Sequence, residues 1–369
     1  MRIIFAGGGT AGHINPALAI ARHFQRKHPD SEILFIGTRK GLETGLVPRE
    51  GFRLEFITVR GFRRKLSLSN LTAVKELGQG ILQARRIIRQ FKPDLVIGTG
   101  GYVCGPVLFV ASRMHIPTLI HEQNAFPGVT NKLLARFVDA VAISFKESAK
   151  YFTSATRLVH TGNPIRMELF DTDRASARNR LGIDRDKPLV VFSAGSRGAG
   201  KINDAIVDML KNYYKKGDFQ IICSTGEANY EEIKQKLEGS VFPSVNIVPY
   251  IYDAAGVYNA ADLMVCRAGA ITTSELTVLG LPSVLVPSPN VTANHQEYNA
   301  RALERDGAAV VILDKDLTGK LLYQQINGLL KDRDQLSKMS KNAKKIGISN
   351  AVDRIYSLAR EIMINTGNR

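Results

Sequence analysis

Short apolar runs without polar alternation recur along the chain, separated by stretches long enough to form a helix. Strands are predicted at residues 3–6, 32–37, 94–98 and 118–122, and again at 188–195, 219–224, 246–250, 263–266 and 283–287. Runs that are apolar on both faces suit strands buried inside parallel sheets, and the helical gaps between them make βαβ units. The rhythm breaks from Asp171 to Lys187, a charged stretch that reads as a helix and linker after Asn163-Pro164. The pattern predicts an α/β protein of two doubly wound, Rossmann-like domains facing a cleft, residues 1–163 and 164–349. An amphipathic helix at 350–366 is expected to cross back to the first domain.

The run Leu263–Cys266 leads into Arg267-Ala268-Gly269-Ala270 and then Thr272, Thr273 and Ser274, which are good N-cap types. A helix entered this way aims N–H groups and a positive dipole end beyond the sheet, an environment that suits phosphate. Glu275 is expected in its first turn, accepting hydrogen bonds from a vicinal diol such as a ribose. An ordinary capped helix, with Glu275 serving only the dipole, explains the same residues. Glycine turns follow strands at 7–13, 98–106 and 193–204. The first matches GxGxxG through Gly7, Gly9 and Gly12, ahead of a helix predicted at Pro16–His28. The second strand, however, ends in Gly37-Thr38-Arg39 with no acid for a ribose, which argues against NAD. Three such turns at the carboxyl ends of strands, in two domains, describe a place for a polyphosphate.

At 369 residues the chain exceeds what one core usually serves. Its net charge of +16 fits nucleic acid, an anionic membrane or diphosphate ligands. No nucleic-acid-binding signature accompanies the charge, so a membrane or a phosphorylated substrate is preferred. Cys104, Cys223 and Cys266 form no CxxC pair and read as reduced residues of a cytoplasmic protein. The histidines lack metal-ligand spacing. No apolar run approaches the roughly 20 residues of a membrane span, and MRIIFAGGG lacks a signal-peptide layout. From Arg60 to Lys92 nine Lys/Arg face one acid, Glu76, with Phe62, Leu66, Leu68, Leu71, Val74, Leu77, Ile81 and Leu82 interleaved. This strip reads as a docking face for anionic lipid. A packed helix with a solvated basic face is the alternative, and Gly78 and Gly80 weaken the helix in either case.

GGGTAGHINPALAIA, GTGGYVCGP, HEQNAFPGVTNK, TGNPIR, SAGSRGA, RAGAITTSELTVLGLPSVLVP and ANHQEYNA stand in the order of one family's motifs. With them the chain resembles the peptidoglycan glycosyltransferases that add N-acetylglucosamine to undecaprenyl-diphospho-N-acetylmuramyl-pentapeptide. Ala11 departs from the glycine usual there. The resemblance implies a GT-B fold and an inverting transfer from UDP-N-acetylglucosamine, with no metal or other cofactor. It places donor contacts on Arg166, Ser196, Ile251, Ala270, Ile271, Thr272, Thr273, Ser274, Glu275 and Gln296, and on Thr10, Ala11, Gly12 and Asn124 from the first domain. The acceptor diphosphate falls to Gly8, Gly9, Gly100, Gly101 and Tyr102. The implied partners are the lipid-linked acceptor, the anionic inner leaflet and other cell-wall synthesis or division proteins, with no nucleic acid. The implied location is peripheral, on the cytoplasmic face of the cell membrane.

An inverting transfer needs a base for the acceptor 4-hydroxyl and positive charge or N–H dipoles for the leaving UDP. His13, on the first glycine turn, is the favoured base, and His121 with Glu122 is the rival. Arg166 can fork onto phosphate oxygens. Another UDP-sugar enzyme of this fold, such as a glycolipid glycosyltransferase or a UDP-N-acetylglucosamine 2-epimerase, and a non-catalytic UDP-sugar-binding scaffold are the competing readings.

Overall fold

The computed structural model describes residues 1–61, 69–194, 200–214 and 219–367, and of residues 69–70 and 366–367 the backbone alone. The chain folds as two compact units, Met1–Ile165 with Ser349–Arg369, and Arg166–Ile348.

In the first unit the strands are β1 (Arg2–Gly7), β2 (Glu32–Gly37), β3 (Arg53–Phe56), β4 (Leu95–Gly100), β5 (Thr118–Glu122), β6 (Ala140–Ile143) and β7 (Leu158–His160). They form a parallel sheet in the order β3-β2-β1-β4-β5-β6-β7. Helices α1 (Ala11–Lys27), α2 (Glu43–Arg49), α3 (Ser69–Phe91), α4 (Cys104–Arg113) and α5 (Val129–Leu134) connect them. The strand period of two explains why β1 reads as an unbroken apolar run. Ile3 and Phe5 enter one buried cluster with α1, while Ile4 and Ala6 enter another with α3, α4 and α5.

In the second unit β8 (Leu189–Ser193), β9 (Gln220–Ser224), β10 (Val245–Val248), β11 (Leu263–Cys266), β12 (Ser283–Leu285) and β13 (Ala309–Val311) form a parallel sheet in the order β10-β9-β8-β11-β12-β13. Its helices are α6 (Arg174–Arg180), α7 (Gly200–Asn212), α8 (Tyr230–Lys236), α9 (Ala254–Ala260), α10 (Ala270–Leu279), α11 (His295–Arg305), α12 (Gly319–Lys331) and α13 (Arg333–Ile346). The last helix, α14 (Ala351–Gly367), belongs to the first unit, where Ile355, Leu358, Ala359 and Ile362 join the cluster of β1 and α1.

Four strands escape the sequence reading. Residues of β3 are half-buried or exposed, β6 is Ala-Val-Ala-Ile, and β7 and β13 have three residues each. One helix also starts elsewhere than expected, and another forms in spite of its glycines. Helix α1 begins at Ala11 with Thr10 as N-cap and carries Pro16 inside it, rather than beginning at Pro16. Helix α3 runs through Gly78 and Gly80, and a Cβ on Gly80 would stand 2.8 Å from the Thr58 carbonyl. Glycine there is a close approach to the neighbouring loop, and the helix survives it.

Candidate active site

Strands β1, β4 and β5 are neighbours, so their carboxyl ends bring the first glycine turn, the second glycine turn and His121-Glu122-Gln123-Asn124 together in the first unit. The β1–β4 register pairs Ala6 with Gly98 but Gly7 with Gly100, leaving Thr99 as an extra residue. A bulge of this kind re-aims a backbone group. The Thr99 carbonyl lies 3.1 Å from Nδ1 of His13, and the Thr99 hydroxyl donates to the His13 carbonyl at 2.8 Å. Nδ1 of His13 is also 3.2 Å from Oε1 of Gln123. A carbonyl only accepts, so Nδ1 carries the proton and the lone pair lies on Nε2. Gly100 makes room for this ring. Its φ is +115°, and a Cβ there would lie 2.5 Å from Nδ1 of His13.

His121 occupies a different environment. It is fully buried, its Nε2 donates to the Gly162 carbonyl at 3.0 Å, and its Nδ1 accepts from Nε2 of Gln123 at 3.0 Å. Burial lowers its pKa to about 4, against the Gly162 bond, which raises it. Both ring nitrogens are spent inside the fold. Glu122 is likewise buried. Its carboxylate accepts from the backbone and side-chain N–H groups of Asn124, from the Gly128 amide and from Asn131, tying the loop to α5.

Thr10, Ala11 and Gly12 open α1, with Gly12 exposed. Gly9 has a φ of +85°, and Tyr102, 37% exposed, flanks it. Gly8 packs against Gly101, where a Cβ would lie 2.6 Å from the Gly8 carbonyl. The Gly9 N–H, expected on the acceptor diphosphate, instead donates to the buried carboxylate of Glu43 at 3.0 Å. Thr99, Gln123 and Glu43 are thus site residues that the sequence reading missed. Gln123 was visible in principle, because a period of two puts it on the same face as His121.

In the second unit α10 starts at Ala270 directly after β11, with Gly269 as N-cap. Thr272, Thr273 and Ser274 do not cap it. The hydroxyls of Thr273 and Ser274 bond back to the Gly269 and Ala270 carbonyls from within the helix. Glu275 is therefore in the second turn, not the first, and is 1% exposed. Its Oε1 accepts from Nε of Arg166 at 2.7 Å and its Oε2 from Nη2 at 3.4 Å. Burial raises the pKa of Glu275, and Arg166 pulls it back. Tyr258 is packed nearby, its phenol pushed up first by burial and then by the charge of Glu275. Ile251 is half-buried, next to the exposed Tyr250 and Tyr252, whose rings meet edge to face. Oε1 of Gln296, at the start of α11, accepts from the Ser288 amide at 2.9 Å. Ser196 lies outside the described residues.

The glycosyltransferase family 28 N-terminal domain matches residues 3–143, and the family 28 C-terminal domain matches residues 189–355. The chain belongs to glycosyltransferase family 28. This family 28 chain is 61% identical over 365 residues to the UDP-N-acetylglucosamine–N-acetylmuramyl-(pentapeptide) pyrophosphoryl-undecaprenol N-acetylglucosamine transferase of Acetivibrio thermocellus, covering 99% of each chain. It is 57% identical to the protein of the same name from Ruminiclostridium cellulolyticum, over 98% of this chain and 100% of that one. Among solved structures it is similar to MurG of Acinetobacter baumannii, with 30% identity and a TM-score of 0.81, over 98% of this chain and 99% of that one. The two parallel-sheet units are those of a family 28 glycosyltransferase.

Proposed function

We infer that this chain transfers N-acetylglucosamine from UDP-N-acetylglucosamine to undecaprenyl-diphospho-N-acetylmuramyl-pentapeptide, the reaction for which relatives 61% and 57% identical are named. The geometric observation that carries the reading is the fixed tautomer of His13. With Nδ1–H held by Thr99 and Gln123, the Nε2 lone pair is available to take the proton of the acceptor 4-hydroxyl. That oxygen then bonds to C1 of the sugar as the bond from C1 to the phosphate oxygen breaks. The electron pair leaves on UDP and C1 inverts. A single displacement of this kind asks for charge stabilisation at the diphosphate and for no other cofactor. The amides at the start of α10 and the guanidinium of Arg166 are suited to that task. Glu275 is 1% exposed and paired with Arg166, so a ribose reaching it would require Arg166 to swing aside, which would leave the guanidinium available to the diphosphate.

The experiment is UDP release from UDP-N-acetylglucosamine with and without the lipid-linked muramyl acceptor. Release that requires the acceptor is expected. Acceptor-independent release, or a 2-epimer as the product, would overturn the assignment.

The acceptor is a lipid, and the surface of the first unit supports docking to a membrane. On α3, Leu71, Val74, Lys75, Leu82, Arg85, Arg86 and Arg89 are exposed and share one face by helical spacing. Arg60 is taken out of the basic strip by its ion pair with Glu76. Phe62, Arg63, Arg64, Lys65, Leu66 and Leu68 of that strip lie outside the described residues. Beside α4, which packs against α3, the α5 segment exposes Val129, Leu133 and Phe137 next to Lys132 and Arg136. Among the described residues no helix is long and apolar enough to cross a membrane. We propose a peripheral location on the anionic cytoplasmic leaflet.

A further inference from the structure

Glu43 is the first residue of α2, and its side chain is fully buried. Three donors converge on its carboxylate. Oε2 takes the Gly9 N–H at 3.0 Å, while Oε1 takes the Thr38 N–H at 2.8 Å and the Thr38 hydroxyl at 2.9 Å. The group bridges the ends of adjacent strands, because Gly9 follows β1 and Thr38 follows β2. Three glycines vacate the space it fills. An ideal Cβ would come within 2.7 Å of the Glu43 side chain from Gly8, 2.5 Å from Gly37 and 1.9 Å from Gly41. In dinucleotide-binding folds a glycine turn at the end of the first strand offers its N–H groups to a phosphate. Here a carboxylate of the chain itself sits against such an N–H.

We propose that Glu43 is a positioning residue of the transferase, an internal anion that fixes the first glycine turn and withdraws the Gly9 N–H from the acceptor's diphosphate. From Gly9 the constraint passes to Thr10, whose carbonyl accepts from the His13 and Ile14 amides and so starts the helix that carries the His13 ring. The proposal rests on the reading of His13 as the base. A loosened turn displaces that base from the acceptor hydroxyl and leaves the recognition of UDP by the second unit untouched.

The test uses the full chain with Glu43→Ala, Glu43→Gln and Gly41→Ala, assayed below the melting transition of each variant. Gly41→Ala keeps the carboxyl group but drives a methyl into Oε2, so it displaces the anion without touching the turn. Turnover is expected to fall about ten- to a hundred-fold in all three, the scale of an ångström misplacement of a reacting group. UDP affinity, read by calorimetry, should stay unchanged. Formate, which can refill the seat, should restore turnover in Glu43→Ala and not in Glu43→Gln, whose amide presents N–H to donors. Folded variants with normal turnover, or a loss of turnover matched by a loss of UDP affinity, would overturn the proposal. Full turnover in His13→Ala, with the Glu43 and Gly41 variants still slow, would remove the base assignment and keep the clamp.

Discussion

His13 and His121 are joined through one glutamine and yet are suited to opposite tasks. Gln123 accepts from Nδ1 of His13 with its oxygen and donates to Nδ1 of His121 with its nitrogen. His13→Ala should lose about 10²–10⁴ in turnover with UDP affinity unchanged. His121→Asn should slow the enzyme less. Its signature belongs to stability. The folded pKa of His121 is lowered to about 4, so between the ordinary histidine value and pH 4 the unfolded chain binds a proton that the folded chain does not. Stability should therefore fall as pH drops through that window, by roughly 3 kcal/mol at about 1.36 kcal/mol per unit. Chemical denaturation from pH 7 to 4 checks this, and His121→Asn should remove that part of the slope. In the second unit, Arg166→Ala strips the buried Glu275 of its cation. A carboxyl group whose folded pKa is raised loses stability as pH rises through that value. Arg166→Ala should thus be more destabilised at pH 8 than at pH 4, and adding Glu275→Gln should abolish the difference. An equal loss at both pH values would show that the pair contributes packing alone.

At the scale of elements, the basic, apolar face of α3 proposed to meet the membrane makes a separable prediction. Replacing Arg85, Arg86 and Arg89 by Gln should weaken binding to anionic vesicles on the order of 100-fold, at about 1 kcal/mol per basic residue near such a surface. Turnover on a soluble acceptor analogue should survive, and vesicle binding that ignores both the substitutions and salt would sink the idea. The same helix marks where sequence reading reached its limit. Gly78 and Gly80 argue against a helix by propensity, but burial of Ala73, Ala84 and Ile88 along one side holds it together, and only Gly80 has a packing reason. Strands β1, β4 and β11 were legible because both of their faces are buried. β3 and β7, at the two edges of their sheet, lack that signal. In the site, glycines and histidines were visible as residue types. The Thr99 bulge and the seat of Glu43 depend on register and on a loop crossing between strand ends, and a linear pattern carries neither.

At the scale of the molecule, the first unit is discontinuous and the second is one continuous segment, Arg166–Ile348. The closing helix α14 is integral to the first unit. Ile355, Leu358 and Ile362 are at most 4% exposed, and Tyr356 packs on Phe24 and bonds through its hydroxyl to Nε2 of His28 at 2.8 Å. Burying three such aliphatic side chains contributes about 5–9 kcal/mol at about 1.5–3 kcal/mol each, comparable to the whole stability of a domain. Residues 1–165 alone should therefore fail to fold cooperatively, and a peptide of residues 349–369 added in trans should restore a sharp melting transition. Residues 166–348 carry an uninterrupted sheet with its own buried cluster, from Val190 and Phe192 to Leu329 and Met339. That fragment should fold by itself and, because donor recognition is assigned to it, bind UDP with an affinity within a few-fold of the full chain. Calorimetric titration of UDP into the melted and folded fragments checks both halves of the claim. A folded 166–348 fragment that does not bind UDP would move donor recognition out of Arg166, Glu275 and the start of α10. A cooperatively folded 1–165 fragment would reduce α14 to an accessory of the first unit.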